Sequence, residues 1–85
     1  VADRHSLLGL WTDHEGRIYV ASFAGAAVIR IDPDGSESVV AHSPTGWAPS
    51  GGMAGPDGSM WLLEVSLDDQ VRVRRVTADG TERVY

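Results

Sequence analysis

Glu64 closes a run of bulky apolar residues, Met60-Trp61-Leu62-Leu63. A carboxylate in such company costs free energy unless it is paired or bound to a metal. Burial raises its pKa toward the range of acid–base catalysis. Two roles stay open for it: a pair with Arg72 or Arg74, or a catalytic group. His42 is the matching candidate base or ligand, with a solvated loop histidine as the plainer alternative. Asp68-Asp69 offers hard oxygen donors suited to Ca²⁺ or Mg²⁺, or simply solvates a loop tip. Trp47, between Gly46 and Pro49, is placed to stack on a ligand such as a sugar ring or to pack against its neighbours. Ser50 and Ser22 are the polar contacts such a ligand would meet. Ser50 is no hydrolase nucleophile, because its surroundings lack the Gly-x-Ser-x-Gly elbow.

Composition narrows the field before any element is placed. There is no cysteine, so disulfides, thiolate zinc sites and cysteine nucleophiles are excluded. The formal charge is −5, and the seven cations, all Arg, are scattered. Nothing in that balance attracts nucleic acid. No apolar run nears the roughly 20 residues of a membrane span, and no leader of signal-peptide type opens the sequence. Soluble behaviour is the expectation, with the compartment open. Hydrophobic residues make up 42% of the chain, which argues against disorder. Ten Gly and four Pro favour many short strands.

The sequence repeats itself. At an offset of 42, Gly9 meets Gly51 and Gly16 meets Gly58, and Arg17-Ile18-Tyr19-Val20 falls on Ser59-Met60-Trp61-Leu62. At an offset of 45, Val28, Arg30, Asp34, Gly35, Glu37 and Val39 each meet an identical residue. The offsets differ because Ala24–Ala27 is replaced by Ser66–Arg72, expected as a longer loop. Each copy has the period of strands separated by Asp-Gly turns. The first copy has strands at Leu7–Thr12, Arg17–Phe23, Val28–Ile31 and Ser36–Ala41. The second has them near Gly52–Ala54 and at Ser59–Val65, Val71–Thr77 and Thr81–Tyr85. No helical periodicity appears.

Four-stranded units of this length are β-propeller blades. Small residues gather on the first strand of each unit, where blades converge on a narrow channel, and bulk gathers on the second. The alternative is one eight-stranded sandwich or barrel made of two halves. The fold class expected is therefore all-β, with two four-stranded antiparallel blades. Residues 1–6 form a leader, 7–42 the first blade, 43–51 an inter-blade loop and 52–85 the second blade.

The strings Gly16-Arg17-Ile18-Tyr19-Val20-Ala21 and Val28-Ile29-Arg30-Ile31-Asp32-Pro33-Asp34-Gly35 resemble an NHL-type blade. So does Pro49-Ser50-Gly51-Gly52-Met53-Ala54 with Pro56-Asp57-Gly58-Ser59-Met60-Trp61-Leu62. Six-bladed propellers of the NHL, gluconolactonase (senescence marker protein) and virginiamycin B lyase types share such blades. The gluconolactonase resemblance implies a channel metal held by Glu, Asp and Asn, and this chain has no Asn. The lyase resemblance implies a catalytic His, for which His42 and His5 are the candidates. The same blades also serve plain binding scaffolds.

Two blades do not close a ring, for which four to eight are typical. The outer flanks, expected to carry Tyr19, Phe23, Trp61 and Val65, call for partners. Three copies would make six blades in a homo-oligomer, or the remaining blades would come from a longer parent chain. The function expected is a binding or scaffold propeller module. The alternative is a metal-dependent lactonase, hydrolase or lyase acting at the channel mouth through Glu64, Asp68 and His42.

Overall fold

The computed structural model describes residues 7–85; the expected leader, with His5, lies outside them. Eight strands follow in order: β1 (Leu7–Thr12), β2 (Ile18–Ser22), β3 (Ala27–Ile31), β4 (Glu37–His42), β5 (Trp47–Ala54), β6 (Met60–Ser66), β7 (Val71–Val76) and β8 (Glu82–Val84). They form two four-stranded antiparallel sheets, β1-β2-β3-β4 and β5-β6-β7-β8, with no helix among the described residues. β1 has the expected bounds, and the other strands shift by a residue or so. β5 is the exception, since it reaches back to Trp47 and absorbs most of the expected inter-blade loop. Its extra residues pair in register with β6, Trp47 opposite Ser66 and Ala48 opposite Val65.

A second difference concerns the three extra residues of the second unit. The β2–β3 and β6–β7 turns are equally long, so no longer loop exists. The extra residues lengthen β6 and β7 instead, where Val65–Val71 adds a rung beyond Glu64–Arg72, the counterpart of Ser22–Ala27.

The turns follow one plan. Gly16, Gly35, Gly58 and Gly80 all have positive φ, a conformation that costs glycine nothing. Asp34, Asp57 and Asp79 each accept the backbone N–H two residues on, from Ser36, Ser59 and Thr81. These are Asx turns, in which the aspartate mimics a backbone acceptor.

The two sheets meet most closely at their first strands. A Cβ on Gly9 would lie 2.6 Å from the Ser50 carbonyl oxygen and 2.9 Å from Gly51 Cα. A Cβ on Gly52 would lie 2.5 Å from the Trp61 carbonyl oxygen and 2.9 Å from Trp11 Cζ2. Only glycine permits that approach. At the other edge the sheets diverge, leaving a cleft of about 750 Å³ between β4 and β7–β8. A sandwich holds its sheets at a near-constant separation; this wedge is the geometry of neighbouring propeller blades.

Between the sheets lies the core, with Trp11, Ala21, Val28 and Leu62 buried and Tyr19, Ala41, Ala54 and Met60 packed against them. Tyr19 was expected on an outer flank. It instead stacks on Trp11 inside the seam, ring centroids 5.6 Å apart, because Trp11 and Tyr19 are register partners and share a face. The opposite face of the first sheet carries Leu10, Val20, Ile29 and Val39 in one row. That of the second carries Met53, Trp61, Leu63 and Val73.

Gly52→Ala should destabilise the fold by about 1–3 kcal/mol in chemical denaturation, the usual effect of overpacking. A change below about 0.5 kcal/mol, the scale of an ordinary surface substitution, would show that β5 does not press against Trp11.

Candidate functional site

Glu64 faces the first sheet from β6 and is fully buried. Its register partners are Pro49 on β5 and Arg72 on β7. Because β-strand side chains alternate, Arg72 and Arg74 lie on the same side of β7 as Glu64 does on β6. The Arg72 Nε donates to Glu64 Oε1 at 2.9 Å and the Arg74 Nε to Oε2 at 3.1 Å. From the other blade, the Ser43 hydroxyl donates to Oε2 at 2.6 Å. Arg74 also donates from Nη2 to the His42 carbonyl oxygen at 2.9 Å and pairs with Glu82. One guanidinium, itself 5% exposed, thus ties β4 of the first blade to β6 and β8 of the second.

Burial pushes the Glu64 carboxyl up, but the Ser43 hydroxyl, Arg72 and Arg74 outweigh it and hold its pKa below the ordinary value. The group stays ionised, its oxygens already in use. Of the two roles left open for Glu64, the arginine pair is what the structure contains, with both candidates engaged.

The other singled-out residues are dispersed. The His42 ring is exposed on the rim of the cleft, and only its backbone carbonyl joins the cluster. One face of Trp47 is covered by the Arg72 guanidinium, 4.0 Å from the ring centroid. The rest of Trp47 borders a small, mainly apolar hollow with Phe23, Ala26, Val65 and Leu67. The Ser50 hydroxyl donates to the Leu63 carbonyl oxygen at 3.3 Å, and Ser22 accepts the Gly25 N–H in the β2–β3 turn. Asp68 and Asp69 are exposed in the β6–β7 turn, where Asp68 accepts the Ser66 hydroxyl and Asp69 takes φ 66°. No group of three or more His, Asp or Glu among the described residues is placed to hold a metal ion.

Two partners escaped sequence reasoning. Ser43 carries no sequence signal, since its role depends on how the blades dock. Asp13 read as turn punctuation but gathers four donors: the N–H groups of Glu15 and Arg17, the Arg17 Nε at 2.7 Å and the Tyr19 hydroxyl at 2.8 Å. Burial opposes its ionisation, yet the Tyr19 hydroxyl and Arg17 hold its pKa well below the usual carboxylate range. Asp57 and Asp79 sit at about 2, held there first by the hydroxyls of Ser59 and Thr77.

No family model and no curated protein matches the sequence. Among solved structures, the fold is similar to that of a streptogramin B lyase, a β-propeller, with TM-score 0.61 and 13% identity. The likeness covers 100% of this chain and 42% of the lyase chain. At that identity it shows the fold alone. The chain is all-β and consists of two propeller-like blades. No helix among the described residues is long and apolar enough to cross a membrane.

Glu64→Gln should lower stability by about 3–5 kcal/mol, the usual effect of leaving a buried partner charge uncompensated, and toward the lower end because Arg74 keeps Glu82. The pH dependence has a definite sign. Carboxylates with depressed folded pKa values stabilise above their unfolded values and lose that contribution as pH falls. Stability should therefore drop between the ordinary carboxyl values, 4.5 for Glu and 3.8 for Asp, and about 2. Glu64→Gln should make that drop shallower without abolishing it, since the aspartates remain. An unchanged acid limb would show that Glu64 is not a structural ion pair.

Proposed function

We propose that the chain is a two-blade module of an NHL-like propeller that serves as a binding or scaffold element, assembling with further blades around a central channel. One observation carries this reading: Glu64, a carboxylate with no exposed surface, has both oxygens engaged by Ser43, Arg72 and Arg74. A general acid or base must reach the proton it moves, yet Glu64 has no exposed surface and three donors fill most of its roughly four lone-pair sites. The same contacts bind blade to blade, which is the work of a scaffold. Apolar faces on both outer sides of the pair supply the means of adding blades.

The competing reading is a metal-dependent hydrolase or lyase, with Asp68, Asp69 and His42 near a bound ion. Thermal unfolding with excess EDTA, and then with Ca²⁺ or Mg²⁺, separates the two. An ion held at 100 times its Kd would add about 2.7 kcal/mol. That would raise Tm by roughly 11–22 °C in a domain of this size. The scaffold reading expects no shift from either treatment. A reproducible rise with the ion, reversed by EDTA, would replace it with the enzyme reading.

A further inference from the structure

We propose that copies of this chain join head to tail, the outer face of the β5–β8 sheet of one copy seating the outer face of the β1–β4 sheet of the next. The inference rests on the module reading above and adds the partner and the residues at the seam.

The internal seam is the template. On its first-blade side stand Trp11, Tyr19, Ala21 and Val28. Their repeat equivalents in the second blade are Met53, Trp61, Leu63 and Val73, which lie on its outer face. On the second-blade side of the seam stand Gly52, Met60, Leu62 and Arg74. Their equivalents in the first blade are Leu10, Ile18, Val20 and Ile29, which lie on the other outer face. Each uncovered face thus has the position in its blade that the internal seam already uses.

The sizes match as well. Inside the chain Trp11 lies over Gly52; at the proposed seam the equivalent pair is Met53 with Leu10, two middling side chains in place of one large and none. Ala21, Val28 and Leu62 of the internal core correspond to Leu63, Val73 and Val20 on the outer faces. Bulk is redistributed between the two faces while the seam stays able to fill its space, as close packing demands. Of the residues concerned, Leu10 is 68% exposed, Met53 59% and Leu63 41%, while Val20 is buried among its own neighbours and Ile18, Ile29, Trp61 and Val73 are half-buried.

The inner strands supply an independent observation. Gly9 lacks a side chain because the backbone of Ser50 and Gly51 occupies that space. Its equivalent, Gly51, has nothing within 4 Å of where a Cβ would be. That is the vacant counterpart of the Gly9 contact, shaped for the inner strand of a following blade. The internal ion cluster has no equivalent there, since Glu64 corresponds to Ser22 and Arg74 to Ile29. The inner part of the seam between copies is apolar, while Arg75 and Arg83 share the outer face of the β5–β8 sheet with Trp61 further out. An interface of two different faces is heterologous and closes only by rotation, and a ring of four to eight blades is reached most simply by three copies.

Light scattering and native mass spectrometry on the chain, with Leu10→Arg and Met53→Arg, test this. The wild type should form a closed oligomer, three copies being the expected mass, and should persist in high salt. Each variant alone should be a folded monomer by circular dichroism. Mixed, they should stop at a one-to-one dimer, because only the intact Met53 face of one and the intact Leu10 face of the other can join. A wild-type chain that is folded and monomeric overturns the inference, as does a dimer that survives in either variant alone. Gly51→Ala should leave the monomer folded and weaken assembly; undiminished assembly would count against the vacant seat. An ion-dependent rise in Tm would overturn the scaffold reading while leaving this seam intact, so the two failures are distinguishable.

Discussion

A four-stranded sheet that is apolar on both faces gains stability with each face it covers, and the shape of this fold follows from how the two inner faces cover each other. The first sheet buries Trp11, Ala21 and Val28 against Leu62 of the second. On the outer faces Leu10 and Met53 remain exposed. Gly9 sets the angle of the wedge by letting the backbones of β1 and β5 touch, and Gly52 by admitting the Trp11 ring. Bulk on β2 and β6 holds the sheets apart further out. Taper is therefore written into the order of small and large residues from inner to outer strand.

The ion cluster solves a different problem. Where the wedge opens toward β4 and β7, apolar side chains no longer reach across, and the gap would admit water. Glu64, Arg72 and Arg74 span it instead, with Ser43 and the His42 carbonyl as anchors on the far side. Buried charges add little net stability, but removing one partner leaves the others unsatisfied. The cluster therefore acts as a docking key that fixes how the blades meet. The resting place of Trp47 under Arg72 extends the same key toward the loop face.

Much of this was legible in the residues. Two repeats with Asp-Gly turns foretold eight strands and two sheets, since each turn needs a positive φ that glycine supplies. The crowding of Gly on the first strand foretold the narrow end of the wedge. For Glu64 the sequence left a pair with Arg72 or Arg74 and a catalytic role both open, because only the register shows that both arginines share its face. What escaped was set by docking rather than by local pattern. Tyr19 and Trp61 occupy equivalent positions, yet one is inside the seam and the other outside, a difference that depends only on which side has a neighbour. Ser43 gains its role solely because the second blade brings Glu64 to it. The longer β6 and β7 looked like a loop insertion because strand extension and loop extension read alike until the register is known.

Residue-resolved amide hydrogen exchange tests most directly whether the blades are one cooperative body held by this seam. The slowest amides should lie in β1, β5 and β6 and should share one opening free energy, while the three-residue β8 exchanges early. Two separate classes of slow amide, one for each sheet with unequal free energies, would mean that the blades open independently and that the seam does not hold them.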